Sequence, residues 1–141
     1  MKIFFFLLMI NFNSFAENYE VKTLSNHNGQ SMVFEPMFLK ANPGDRVKFV
    51  PVDKGHTSQS LSIPKNAKSW KGITNQEIEV VLEKEGLYLY ECQNHGIMGM
   101  IGLIQVGKAS NRKEILDFYE KHKKKLIMHK DRLDKYLENL K

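Results

Sequence analysis

The chain is poor in cysteine: Cys92 stands alone among 141 residues. One thiol excludes an internal disulfide framework and any Cys-rich zinc module, but not a metal site that takes a single thiolate. Long apolar runs are missing as well. Ile3–Ile10, eight apolar residues, falls far short of the about 20 that a membrane span needs. Only five histidines are present, none in a His-x-His pattern. Proline and glycine are absent from Asn111 onward, and no internal repeat or low-complexity segment occurs. What remains is 42% hydrophobic, enough for a packed core and too much for a disordered tail.

The first residues have the layout of an export signal. Lys2 is a short positive start, Ile3–Ile10 the apolar stretch, and Ser14-Phe15-Ala16 puts small residues where a signal peptidase reads. Cleavage after Ala16 would leave a chain that starts at Glu17, has no cysteine there to carry a lipid, and inserts in no membrane. The expected division is 1–16 signal, 17–107 β domain and 108–141 helical tail, with the mature protein a monomer in the periplasm. In such an oxidising compartment an unpaired cysteine needs a reason. It is either a small core residue or a reactive or metal-bound thiolate.

From Glu20 to Val106 the pattern is β. Val21 and Thr23 alternate with Lys22 and Leu24, Val47 and Phe49 share a parity, and Glu77–Leu82 alternates again. Asn42-Pro43-Gly44-Asp45 is a strong turn signal. About seven short strands separated by turns predict an antiparallel sandwich or barrel. Residues 53–76 carry few strand signals and read as a long loop with a short helix. After Gly107, Ile115, Phe118, Tyr119, His122 and Leu126 recur at helical spacing, and Leu133, Tyr136, Leu137 and Leu140 continue it. Two C-terminal helices are therefore predicted to lay apolar stripes on the sandwich.

The net charge of +5 sits in that tail. Residues 108–141 hold 11 Lys+Arg against 6 Asp+Glu, with Lys121, Lys123, Lys124 and Lys125 clustered. A charge run on a helix reads as a solvated face. An exported chain without basic-aromatic interleaving is not expected to bind nucleic acid.

The chemistry concentrates in Cys92-Gln93-Asn94-His95-Gly96-Ile97-Met98-Gly99-Met100. This segment joins two predicted strands. Tyr88, Tyr90 and Cys92 share a parity, so the sulfur should point inward at a strand end. His95 and one of the two methionines could reach the same point. A second histidine would complete a trigonal Cys/His/His set with a distant axial Met, the ligand set of a blue-copper electron-transfer centre. His56, after Gly55 at the end of a predicted strand, is the best candidate. His27 lies in an Asn/Gly turn, and His122 and His129 belong to the tail.

These features resemble the pseudoazurins, small cupredoxins. The resemblance covers nearly all of residues 17–107. It is carried by Met32-Val33-Phe34-Glu35-Pro36, Lys40–Asp45, Pro51-Val52-Asp53-Lys54-Gly55-His56 and Met98-Gly99-Met100-Ile101-Gly102-Leu103-Ile104. It implies a mainly β fold, a cupredoxin-like Greek-key sandwich with two C-terminal α-helices. It also implies one type 1 copper on His56, Cys92, His95 and Met100. Met98 would give a shorter loop spacing, and the match through Ile104 favours Met100. The implied role is one-electron transfer, not catalysis on a substrate. Implied partners are periplasmic redox proteins such as copper nitrite reductase, nitrous-oxide reductase or c-type cytochromes. His95 would be the electron port, rimmed by Gly96, Ile97, Met98, Met32 and Pro36.

Three positions depart from that pattern. Thr57 stands where the family usually has an Asn that ties the two ligand loops together. Asn94 replaces a Pro, which adds a backbone N–H close to the thiolate. Glu91 replaces a Lys of the surrounding basic ring, of which Lys54 remains; a different choice of partner would follow. The alternative function is a periplasmic copper chaperone or storage protein. It would use clustered exposed methionines, and here the methionines are scattered. A copper oxidase or reductase would need further clustered histidines.

Overall fold

The computed structural model describes residues 15–140. Residues 1–14, most of the expected export signal, lie outside the described residues, as does Lys141. Eight strands form two four-stranded sheets. They are β1 (Asn18–His27), β2 (Gln30–Glu35), β3 (Phe38–Ala41), β4 (Asp45–Pro51), β5 (Gln59–Ser62), β6 (Ile78–Leu82), β7 (Gly86–Glu91) and β8 (Ile101–Val106). Two helices follow, α1 (Arg112–Lys123) and α2 (Asp134–Glu138). The sheet orders are β2-β1-β4-β6 and β3-β8-β7-β5.

Local chemistry sets the turns. Asn28 and Gly29 both take positive φ (49° and 77°), the demand of a two-residue hairpin, and join β1 to β2. Between β3 and β4, Asp45 accepts the N–H of Asn42 at 2.7 Å and that of Glu17 at 2.8 Å. One carboxylate thus closes the predicted turn and fastens the residue just before β1.

Two features correct the expectation of a purely antiparallel sandwich with a helix in the long loop. The pairs β1·β4 and β3·β8 run parallel. The chain changes sheets after β2 and again after β3, so β4 returns beside β1 in the same direction. Residues 53–76 contain no helix. They contain β5, a four-residue strand too short and polar to show in hydropathy. Ser60 holds it to Trp70 by paired backbone and side-chain bonds, and the Trp70 indole donates to Ser58 Oγ at 3.0 Å.

The core has two compartments, one on each face of the second sheet. Phe34, Phe49, Tyr90, Cys92 and Met100 lie between the sheets. On the other face Leu87, Leu89, Ile101 and Leu103 meet Ile115, Tyr119, Leu126, Leu133 and Leu137 of the tail. β7 is therefore buried on both faces and reads Leu-Tyr-Leu-Tyr without a polar alternate. Asn111, just before α1, fixes this packing. Its amide accepts Leu87 N–H at 2.7 Å and donates to Leu87 O at 3.0 Å. The tail charge is only partly a solvated face. Lys121, Lys124 and Lys125 are exposed, while Lys123 is half-buried and reaches Glu120, Asp131 and Asp134.

Candidate metal centre

Two loops at one end of the sandwich carry the donors. The first follows β4, where Gly55 (φ 93°) turns the chain and His56 enters the interior, fully buried. The second runs from Cys92, at the end of β7, through a 3-10 turn at Gly96–Met98 to Met100, just before β8. Its own backbone closes it. Cys92 N–H donates to Met100 O at 2.9 Å, and the N–H groups of Met98 and Met100 both donate to His95 O, at 3.0 and 3.2 Å. Gly99 takes φ 77° to end the turn.

His56, Cys92 and His95 meet. Cys92 Sγ lies 3.9 Å from His56 Nδ1 and 3.7 Å from His95 Nδ1, and the two Nδ1 atoms are 3.1 Å apart. They form the one cluster of three such donors among the described residues. An ion bonded at about 2.0 Å to imidazole and about 2.3 Å to thiolate in a trigonal plane puts N and S about 3.7 Å apart. The three donors fit one ion. A soft thiolate with two imidazoles suits copper. Met100 is fully buried in the same compartment as Cys92, whereas Met98 is half-buried on the turn. His27, His122 and His129 stand elsewhere: His27 by Glu35, His122 stacked on Phe118, His129 against Ser31.

The surroundings prepare these donors. Ser25 Oγ is 2.9 Å from His56 Nε2. When Nε2 carries the proton and donates to this hydroxyl, the Nδ1 lone pair faces the cluster. Burial, and secondarily the charge of His95, holds the His56 imidazole below its ordinary range, which favours the neutral, ligating form. Thr57 N–H points at Cys92 Sγ from 3.5 Å.

The departures noted in the sequence find their reasons here. Asn94 Nδ2 donates to Gly55 O at 2.8 Å and to Thr74 Oγ1 at 3.0 Å. This side chain makes the tie between ligand loops that Thr57 does not. The Thr57 hydroxyl is buried without a partner. The N–H given to sulfur is Thr57's, where the loop sequence pointed to Asn94. Glu91 is not part of a surface ring. It is turned inward, accepts Gln59 Nε2 at 2.9 Å, lies 3.3 Å from His122 Nε2, and supports Gly96.

The rim also differs in part. Gly96 is buried, and Met32 is partly buried against the core. Ile97 is exposed as expected, joined by exposed Ile127 and Met128 from the tail. Ile127 N–H donates to Ile97 O at 2.9 Å. No local pattern marks Ser25, Ile127 or Met128, since each reaches the site only through tertiary pairing.

Residues 19–107 match the family described as copper binding proteins, plastocyanin/azurin family. The pseudoazurin of Paracoccus pantotrophus is 39% identical over 105 residues, 73% of this chain and 72% of that protein. The pseudoazurin of Methylorubrum extorquens is 38% identical over 101 residues, 70% of this chain and 68% of that one. The crystal structure of native pseudoazurin from Hyphomicrobium denitrificans superposes with a TM-score of 0.79 at 36% identity, covering 88% of this chain and 98% of that structure. The copper nitrite reductase of Thermus scotoductus shares the fold alone, at 21% identity. The chain belongs to the pseudoazurins, within the plastocyanin/azurin family of copper-binding proteins, and is a blue-copper electron carrier and not an enzyme.

Proposed function

We propose that His56, Cys92, His95 and Met100 hold the single type 1 copper, and that His95 is the port through which electrons pass. The observation that carries the assignment is the convergence of two imidazole nitrogens and one thiol sulfur, from separate loops, within 3.1–3.9 Å of one another. Bound copper supplies one-electron oxidation and reduction. The chain's part is to keep the donors in place. Ser25 orients His56, Thr57 N–H meets the sulfur, and the backbone bonds of residues 92–100 hold His95 and Met100. Donors held by so many contacts move little when the charge at the site changes, which keeps reorganisation small.

His95 is half-buried two residues from the exposed Ile97, whose carbonyl takes the N–H of the exposed Ile127, next to Met128. An apolar rim can meet a partner without a large desolvation cost, and exposed Lys54, Lys124 and Lys125 would steer an acidic one. We place the protein in the periplasm, on the export-type N-terminal sequence. There it would exchange electrons with proteins such as copper nitrite reductase, nitrous-oxide reductase or c-type cytochromes.

The visible spectrum of the Cu(II)-loaded mature chain tests the assignment. An intense thiolate-to-copper band that is lost in Cys92→Ser supports it. A colourless protein that binds only Cu(I) would refute it in favour of copper storage or delivery.

A further inference from the structure

The segment between α1 and α2 crosses the ligand loop like a strap. Gly99 lies directly beneath it: a Cβ there would come within 2.6 Å of Met128 O and 2.8 Å of His129 Cβ. Arg132 closes the contact. Its Nη1 donates to Gly99 O at 2.7 Å and to Met32 O at 2.5 Å, and its Nη2 donates to Ser31 O at 2.8 Å. All these acceptors are backbone carbonyls. The neighbouring carboxylates Asp131 and Asp134 turn to Lys123 instead. Met32 and His129, which flank the guanidinium, both take positive φ (51° and 50°). Non-glycine residues keep such conformations only where their surroundings enforce them.

The Gly99 carbonyl belongs to the peptide unit that leads into Met100. That unit is planar and rigid. Its oxygen accepts from Arg132 Nη1 at 2.7 Å and from the Ile101 N–H at 3.0 Å, and its own N–H is held by His95 O at 3.2 Å; Arg132 is the one of these partners that comes from outside the loop and β8. With both ends fixed, the plane cannot rotate, and the direction in which Met100 leaves it is set. The strap does not need Arg132 merely to stay attached. Leu126, Leu133 and Leu137 are buried against the second sheet, and Tyr119 OH donates to Lys130 O at 2.7 Å. Lysine could not copy the arrangement, because only a planar fork serves several carbonyls from two nitrogens.

We propose that Arg132 is a positioning residue of the copper site, fixing the Gly99–Met100 peptide and so the direction from which Met100 faces His56, Cys92 and His95. The proposal rests on the assignment of Met100 to the copper. Arg132→Lys and Arg132→Gln in the full chain test it twice. In the metal-free protein, amide hydrogen exchange at Met100 should accelerate at least tenfold in Arg132→Gln and less in Arg132→Lys, with β4 and α1 unchanged. In the Cu(II) protein, the thiolate-to-copper band and the reduction potential should both move, the lysine variant falling between. Folded variants with native exchange at Met100, or with native band and potential, overturn the proposal. If the glutamine variant does not fold, the lysine variant decides by the same criteria. A wild-type protein without a Cys92-dependent band overturns the ligand assignment and this inference together. A native wild-type band with indifferent Arg132 variants overturns this inference alone.

Discussion

Ser25→Ala isolates the contact that orients His56, the first of the proposed ligands. Ser25 sits on β1 just beyond the last register pair with β4, Thr23↔Pro51, and so beside the chain that leads to His56. Its hydroxyl is, among the described residues, the one hydrogen-bond partner, 2.9 Å away, of the nitrogen of His56 that faces away from the cluster. Alanine keeps the strand and deletes only that partner. A buried N–H left without an acceptor costs about 1–3 kcal/mol. Ser25 is half-buried, so water can reach part of the gap, and the loss in the metal-free protein should fall near about 1–2 kcal/mol. Urea unfolding measures it. With copper present, freeing the ring to rotate or change tautomer should weaken binding by about 10–100-fold, the usual effect of removing a group that orients a metal-bound histidine. Competition with a chelator of known affinity reads this directly. A variant within about 0.3 kcal/mol of wild type, with unchanged copper affinity, would refute the reasoning, because either loss alone follows from the same missing acceptor.

Asn94→Ala removes both donations to Gly55 O and Thr74 Oγ1; at this exposed position it should cost about 1 kcal/mol in urea unfolding, and Asn94→Pro should also shift the midpoint potential by voltammetry. The pH dependence of the metal-free protein follows from His56. Burial and His95 lower its folded value below the ordinary 6.5, so the unfolded chain binds more protons at acidic pH; stability is full above about 6.5 and falls as the pH drops below it. His129, lowered by burial and by Arg132, adds a loss of the same sign. In His56→Gln the acid-side loss in urea unfolding should shrink, and an unchanged profile would exclude His56 as its source. Finally, N-terminal sequencing of the exported protein should begin at Glu17, whose new ammonium would lie against Asp45 Oδ1, now 2.8 Å from its N–H.

Much of the site was legible because it is local. Cys92, His95 and Met100 fall within nine residues, and the parity of Tyr88, Tyr90 and Cys92 directs the sulfur inward whatever the rest of the chain does. His56 was reachable because Gly55 marks a turn at a strand end. The first tail helix was equally plain from the spacing of Ile115, Phe118, Tyr119 and His122, whereas Leu126, read on the same spacing, falls beyond its end at Lys123, and the second helix is only Asp134–Glu138. Legibility ended where contacts depend on pairings between distant segments. β5 packs through serines, so hydropathy does not show it. The parallel pairs β1·β4 and β3·β8 need the chain to change sheets, and no local pattern marks that change. Ser25 reaches His56 only through the first of these pairings. Glu91 looked like a surface charge because it stands where the resemblance implies a lysine of the basic ring. Its inward turn goes with α1, which brings His122 to within 3.3 Å of it from a distant part of the sequence.

The tail is where charge and position part company. Most of the excess positive charge lies after Gly107, which by sequence alone separates it from the copper loop. The fold reverses that separation. The strap bonds Ile127 to Ile97, seats Met128 and His129 against Gly99, and brings Arg132 to the Gly99 carbonyl. Lys124 and Lys125 are exposed just ahead of Ile127, whose N–H is bonded to Ile97 O of the loop that carries His95. One segment then does two separate jobs at one place. On the proposal above, its half-buried Arg132 acts on the geometry of the Gly99–Met100 peptide, and its exposed residues act on what approaches. Substitutions at Lys124 or Lys125 should change the salt dependence of electron exchange and leave the copper spectrum alone, while substitutions at Arg132 should do the reverse.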